Sequence, residues 1–144
     1  MLFPDLVLNR FIGIRGAPAG AGHVLEMPLA QSVVNHLGTV HAAAQFALVE
    51  AASAELLLQR FATLSGNVVA VVRSAAVKYR RPATSLLRAF ARLEDPKAEV
   101  ELPLDVERRG HGMVQVRVEL MGEDGRNTFI GEFGWHIAKA APQA

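Results

Sequence analysis

A chain of 144 residues with 51% hydrophobic content can bury a sizeable core and has the common length of one domain. With 15 Lys and Arg against 14 Asp and Glu the formal charge is +1, so no global field draws the chain to nucleic acid or to an anionic membrane, and partner choice falls to a local site. The absence of cysteine removes disulfide and thiolate chemistry and fits a reducing compartment such as the cytoplasm.

The opening Met1-Leu2-Phe3-Pro4-Asp5-Leu6 is apolar but has no basic lead-in and is broken by Pro4 and Asp5, which argues against a signal peptide. Phe11 to Ile14 and His23 to Leu29 read as two short strands of a hairpin, separated by the Gly- and Pro-rich run from Gly16 to Gly22. Thr39 is the expected N-cap of a long helix, about twenty residues rich in Ala, Leu, Glu and Gln and free of Gly and Pro. Within it, Val40 to Leu58 carries His41, Gln45, Glu50 and Glu55 and reads as a buried helix rather than a membrane span. Val68 to Tyr79 is β-branched and predicts a long strand, which Arg81-Pro82 ends. Leu86 to Leu93 and Met113 to Leu120 alternate apolar with polar residues. A turn at Gly122-Glu123-Asp124-Gly125 leads to a last strand, Thr128 to Ile137, with Phe129, Phe133, Trp135 and Ile137 on one side. Asp95 to Gly112, with Pro96, Pro103 and several charges, reads as a connecting excursion, and Ala138 to Ala144 as a frayed tail. Two strands, one long helix and four strands make an α+β order in which an antiparallel sheet covers the helix. The many alanines of that helix allow the sheet to approach its backbone closely.

The run Asn35-His36-Leu37-Gly38-Thr39-Val40-His41-Ala42-Ala43, followed by Glu50, resembles the helix-start motif of hot-dog thioesterases. The likeness is to the phenylacetate-degradation and 4-hydroxybenzoyl-CoA types, in which an Asn precedes Gly-Thr, a His is followed by two small residues, and an Asp or Glu comes further along the helix. Asn35, Gly38, Thr39, His41 and Glu50 fall on those positions, and Val77 to Ala83 is similar to the family's strand ending in an aromatic residue, a basic residue and Pro. The resemblance spans roughly Phe11 to Ile137. It implies one hot-dog domain with its core at about 11–137, in which a single long helix is wrapped by an antiparallel sheet. It further implies a homo-oligomer, dimer or dimer of dimers, that hydrolyses an acyl-CoA-type thioester. Coenzyme A enters only as part of the substrate, and no cofactor or metal, nucleic acid or membrane is required. One departure stands out: the family's Gly-Gly is Ala42-Ala43 here. The Ala43 N–H remains available to a thioester oxygen at the helix N-terminus, but its methyl group narrows the approach.

Glu50 has Phe46, Ala47, Ser53 and Ala54 as its helical neighbours and so interrupts an apolar stripe. Burial would raise its carboxyl pKa and suit it to act as general base or nucleophile; the bland alternative is a wet edge or a structural Arg partner. Glu55, flanked by Gln59 and Arg60, reads as solvated. With the motif, Asn35 is expected to position substrate or water and His41 to shape the oxyanion end, with His36 as a substitute. Thr39, Ala42 and Phe46 line the substrate, and Tyr79, Arg80 and Arg81 would meet coenzyme A, the two Arg side chains pointing to opposite faces. His23, His111 and His136 lack ligand spacing, and no metal site is expected. Ala43 and Glu50 share a helix face but lie about 10 Å apart along it, which predicts that two antiparallel helices across a twofold axis complete each site. Two further readings stay open: an acyl-thioester dehydratase or hydratase using a His with Glu50, and a non-catalytic acyl- or lipid-binding module, which the Ala42-Ala43 change favours.

Overall fold

The computed structural model describes residues 3–142; Met1 and Leu2, with which the apolar opening begins, and the last two residues of the tail lie outside it. A 3₁₀ turn at Phe3–Asp5 and a short helix α1 (Val7–Phe11) precede a two-residue strand β1 (Arg15–Gly16). Then come β2 (Leu25–Met27), a 3₁₀ turn at Gln31–Val33, the long helix α2 (Ala42–Arg60) and β3 (Val68–Tyr79). The chain continues through β4 (Leu87–Leu93), helix α3 (Ala98–Arg109), β5 (His111–Met121) and β6 (Asn127–Lys139). The six strands form one sheet in the order β1-β2-β4-β5-β6-β3, antiparallel at every pairing. This is the hot-dog arrangement of an antiparallel sheet around one long helix.

The core lies between α2 and the inward face of the sheet. Alternation puts Val114, Val116, Val118 and Leu120 of β5 and Phe129, Phe133, Trp135 and Ile137 of β6 on that face, all buried. Fully burying a side chain such as Phe129 or Phe133 stabilises by roughly 1.5–3 kcal/mol. On the helix, Leu48, Val49, Ala51 and Ala52 are buried against β2, β4, β5 and β6. Gly131 of β6 has no room for a side chain, since a Cβ there would stand 2.8 Å from the Phe133 ring and 3.2 Å from that of Phe129. No helix among the described residues is long and apolar enough to cross a membrane.

Four local expectations are corrected. Phe11 to Ile14 is not a strand: α1 ends at Phe11, and Gly13, at φ +82°, turns the chain before β1 starts at Arg15. Helix α2 is capped by His41 rather than Thr39, because Thr39 is held by Asn35 and Val40 is still extended in a bridge to Val34. The excursion from Asp95 to Gly112 contains α3, whose Leu102 and Val106, four apart, bury one face. Pro103 conceals this helix from a composition reading, although all it removes is one internal N–H donor. The tail begins later than expected, since β6 runs to Lys139 and the Ala140 N–H still donates to Asn67.

Strand β3 is the exception to the layered packing. It pairs only with β6 and forms one margin of the sheet, and almost all of its residues are exposed on both faces.

Candidate active site

Glu50 lies half-buried on α2, where desolvation pushes its carboxyl pKa above the ordinary glutamate value. Its carboxylate has neither an Arg partner nor a hydrogen bond among the described residues; Ser53 Oγ donates to the main-chain oxygen of Glu50 instead, at 2.7 Å. Of the two bland alternatives, the structural ion pair is absent among the described residues. Phe46, one turn earlier, is also partly buried, its ring edge-on to Phe133 at 5.7 Å. Ala43, Phe46, Ala47 and Glu50 follow the helical repeat, so they mark a stripe of α2 that the sheet covers only in part.

The loop that delivers the chain into α2 is organised by Asn35. Its Oδ1 accepts from the N–H of Leu37 at 2.9 Å and of Thr39 at 3.1 Å, and its Nδ2 donates to Thr39 Oγ1 at 3.0 Å. Gly38, at φ +77°, closes the same turn with its N–H on the Asn35 carbonyl. Asn35, Gly38 and Thr39 thus come together as a rigid step, while His36 and Leu37 stay exposed at its tip. His41 caps the helix by accepting the Ala43 N–H on Nδ1 at 3.0 Å. The donor expected to hold an oxyanion is therefore engaged by an exposed imidazole in this conformation.

A groove of about 390 Å³ runs beside this step, lined by Asn35, Thr39 and Ala42 on one side and by Tyr79, Arg80 and Arg81 on the other. Tyr79 ties the two walls together: its hydroxyl donates to the Ala42 carbonyl at 3.2 Å and its ring stands edge-on to Phe129 at 4.8 Å. Arg81 donates to the Asn127 carbonyl at 3.3 Å, whereas the Arg80 guanidinium has no ion pair or hydrogen bond among the described residues. Neither arginine has an acidic partner there, which leaves positive charge beside the helix N-terminus, the end at which anions are favoured.

Two residues carry more than their spacing suggests. Gln45, 5% exposed, lines the groove and donates to the Val40 carbonyl, yet its Oε1 has no partner among the described residues. A buried unpaired amide oxygen is costly and rare, and from sequence Gln45 looks like an ordinary polar helix residue. Glu55, expected to be solvated, is 8% exposed and accepts the Phe3 N–H at 3.4 Å. The N-terminal segment folds across α2, which no local pattern at Glu55 could disclose. The remaining histidines lie elsewhere: His23 bonds Glu26 at 2.9 Å, and the His111 and His136 rings stack at 5.6 Å. No group of three or more His, Asp or Glu side chains is placed to hold a metal ion among the described residues.

Residues 19–137 match a protein family described as a domain of unknown function, DUF4442. The chain belongs to that family. This DUF4442 chain is similar to a Pseudomonas aeruginosa protein of unknown function called a probable thioesterase, at 26% identity and TM-score 0.82, covering 96% of this chain and 92% of that one. It also resembles a hypothetical thioesterase of Streptococcus pneumoniae solved with coenzyme A, at 15% identity and TM-score 0.68, covering 96% and 97%. The PaaI protein of the E. coli phenylacetic acid degradation operon matches at 15% identity and TM-score 0.65, covering 88% and 85%. The last two likenesses establish the hot-dog fold alone for the DUF4442 chain. No curated protein matches it.

Proposed function

We propose that the protein hydrolyses an acyl-CoA-type thioester at a site shared between two copies of the chain. The observation that carries this reading is the half-buried, unpartnered Glu50 carboxylate, on the same helix face as the Ala43 N–H at the positive end of α2. Ionised Glu50 takes a proton from water as the water oxygen attacks the thioester carbonyl. The negative charge that forms on the carbonyl oxygen is met by the Ala43 N–H. Collapse of the tetrahedral adduct breaks the C–S bond, and the Glu50 proton passes to the departing thiolate, leaving a carboxylic acid and a free thiol. His41 must give up its bond to the Ala43 N–H for this to happen, and its exposed position allows the ring to rotate. Asn35 holds the loop that presents this end of the helix, and Arg80 and Arg81 supply positive charge for the phosphates of coenzyme A. No resident cofactor enters this chemistry, and the reading suits a cytoplasmic setting.

The rise of about 10 Å between Ala43 and Glu50 is too long for one small carbonyl, so each site takes its oxyanion donor from one copy and its carboxylate from the other. The bare margin of β3 supports such a dimer. Pairing two β3 strands antiparallel continues the sheet, satisfies the open backbone groups and brings the two α2 helices alongside one another. A dimer of such dimers is compatible with the same edge pairing.

Glu50→Gln tests the reading. Thiol release should fall at least about a hundredfold with the fold intact, measured with a thiol reagent and circular dichroism. In the wild type, activity should rise with pH as Glu50 ionises, at a value above that of an ordinary glutamate. The sign for stability is opposite: a carboxyl pKa raised by folding means the native state binds the extra proton, so stability falls as pH rises from the ordinary glutamate range through the raised value. The Gln variant lacks that fall. Full turnover by Glu50→Gln would end the proposal.

A non-catalytic acyl-binding module is the second reading, favoured by one specific feature: His41 already occupies the Ala43 N–H beside a narrowing methyl. Stabilisation by acyl-CoA without turnover at any chain length separates it from the first.

A further inference from the structure

Past Glu50 the same side of α2 continues as Ala54, Leu57 and Leu58, three and four residues apart, and Phe61 follows at the C-cap. These side chains face a second groove of about 80 Å³, whose other walls include Trp135 of β6 and Leu102 of α3. Apart from Ser65 every residue lining it is apolar, and none is charged. Ala54, the nearest of them to Glu50, lies one turn on, a rise of about 6 Å. The groove is tied to that turn: the Trp135 indole N–H donates to Ser53 Oγ at 3.1 Å, and Ser53 Oγ donates to the main-chain oxygen of Glu50. Two features thus lie in sequence along the helix axis, a carboxylate and then a space lined almost entirely by apolar side chains.

One wall comes from outside the helix and sheet. Phe3 lines this groove, and both of its backbone polar groups are tied down. Its N–H donates to the buried Glu55 carboxylate at 3.4 Å, and its carbonyl accepts from Asn9 Nδ2 at 2.7 Å. Asn9 is 5% exposed, and Gln59 donates to the other Glu55 oxygen at 3.4 Å. A buried carboxylate and a buried amide thus serve to hold a segment of a few residues in place. Burying polar groups on this scale without a functional return is costly, and the return on offer is the position of the Phe3 ring.

We infer that this groove receives the hydrocarbon end of the acyl group and that Phe3, strapped down by Glu55 and Asn9, sets the longest chain it accepts. The inference rests on the thioester reading for its reaction but not for its binding. The substrate class is an acyl group with an unsubstituted alkyl or phenyl end. An end bearing a carboxylate is rejected, because nothing in the lining can pair a buried charge.

The chain's single tryptophan, Trp135, reports on the groove directly. An unhydrolysable thioether of coenzyme A with a brominated octyl chain should quench Trp135 fluorescence on binding, since bromine quenches by contact, while the unbrominated analogue should not. Phe3→Ala should raise kcat/KM for hexadecanoyl-CoA relative to octanoyl-CoA about tenfold or more, and Phe3→Leu should shift the ratio the same way by less, which keeps the test valid if the Ala variant folds poorly. Binding of the brominated analogue by thermal shift without quenching overturns the groove assignment. Turnover with an unchanged chain-length ratio in both variants overturns the role of Phe3 and leaves hydrolysis standing. Quenching with no turnover by the wild type supports the groove and removes hydrolysis, and neither binding nor turnover with any acyl-CoA removes both.

Discussion

Strands β6 and β3 lie side by side, alternate by the same rule and are both rich in large apolar residues, yet one is core and the other is bare. On β6, Phe129, Phe133, Trp135 and Ile137 are buried. On β3, Val72 faces the same side as Trp135 and is still 41% exposed, and Val69, on the opposite face, is 54% exposed. Composition does not explain the difference, because Val68-Val69-Ala70-Val71-Val72 is as apolar as anything in β6. The cover does. Helix α2 packs on β2, β4, β5 and β6, and β3 lies beyond its main contacts. An apolar strand left with an open hydrogen-bonding edge is a template for another strand, and in the proposed dimer its complement is a second β3.

The sharpest way to break this comparison is to remove a ring from the covered strand. Phe133→Ala should cost about 3–5 kcal/mol in urea unfolding, because its ring is fully enclosed by α2 and its neighbours in the sheet. A loss below about 1 kcal/mol would show that β6 is not the core it resembles. On β3 the consequence should fall on assembly instead. Val69→Asp with Val71→Asp places like charges along the proposed seam, so the dimer mass measured by light scattering should drop to that of a monomer with the circular dichroism spectrum retained. A wild type already monomeric, or a variant still dimeric, would remove the β3 pairing. The smallest effect belongs to the outward face of β6, where Glu132 meets Arg117 at 2.9 Å with about half of its side chain exposed. Glu132→Gln should change stability by about 0.2–1 kcal/mol, since solvent screens the pair and Arg117 keeps Glu119.

Much of the fold was legible because its signals are periodic. The valines of β5, the aromatic residues of β6 and the Gly-free run of α2 each predict an element that is present, with ends displaced by a few residues. What failed was local and has physical causes. A proline inside α3 hid its two-residue apolar stripe, and Gly13 turned an apparent strand into the end of a helix. At the candidate site, the stripe from Ala43 to Glu50 could be read from spacing and from the motif together. The unpaired Gln45 oxygen and the buried Glu55 could not, because each depends on an enclosure that the chain acquires only when distant segments meet. The bond from the Ala43 N–H to His41 is local, two residues apart, and is hidden because Thr39 reads as the better cap.

The sequence by itself determined the element order, the inward faces of β5 and β6 and the placement of a carboxylate in an oily helix, since these follow from side-chain period and backbone preference within a single segment. Tertiary structure alone decided that β3 lies uncovered, that Phe3 lines an apolar groove and that Glu50 has no partner among the described residues. Those are relations between segments far apart in the chain, and solvent exclusion and pairing exist only once the segments are packed together.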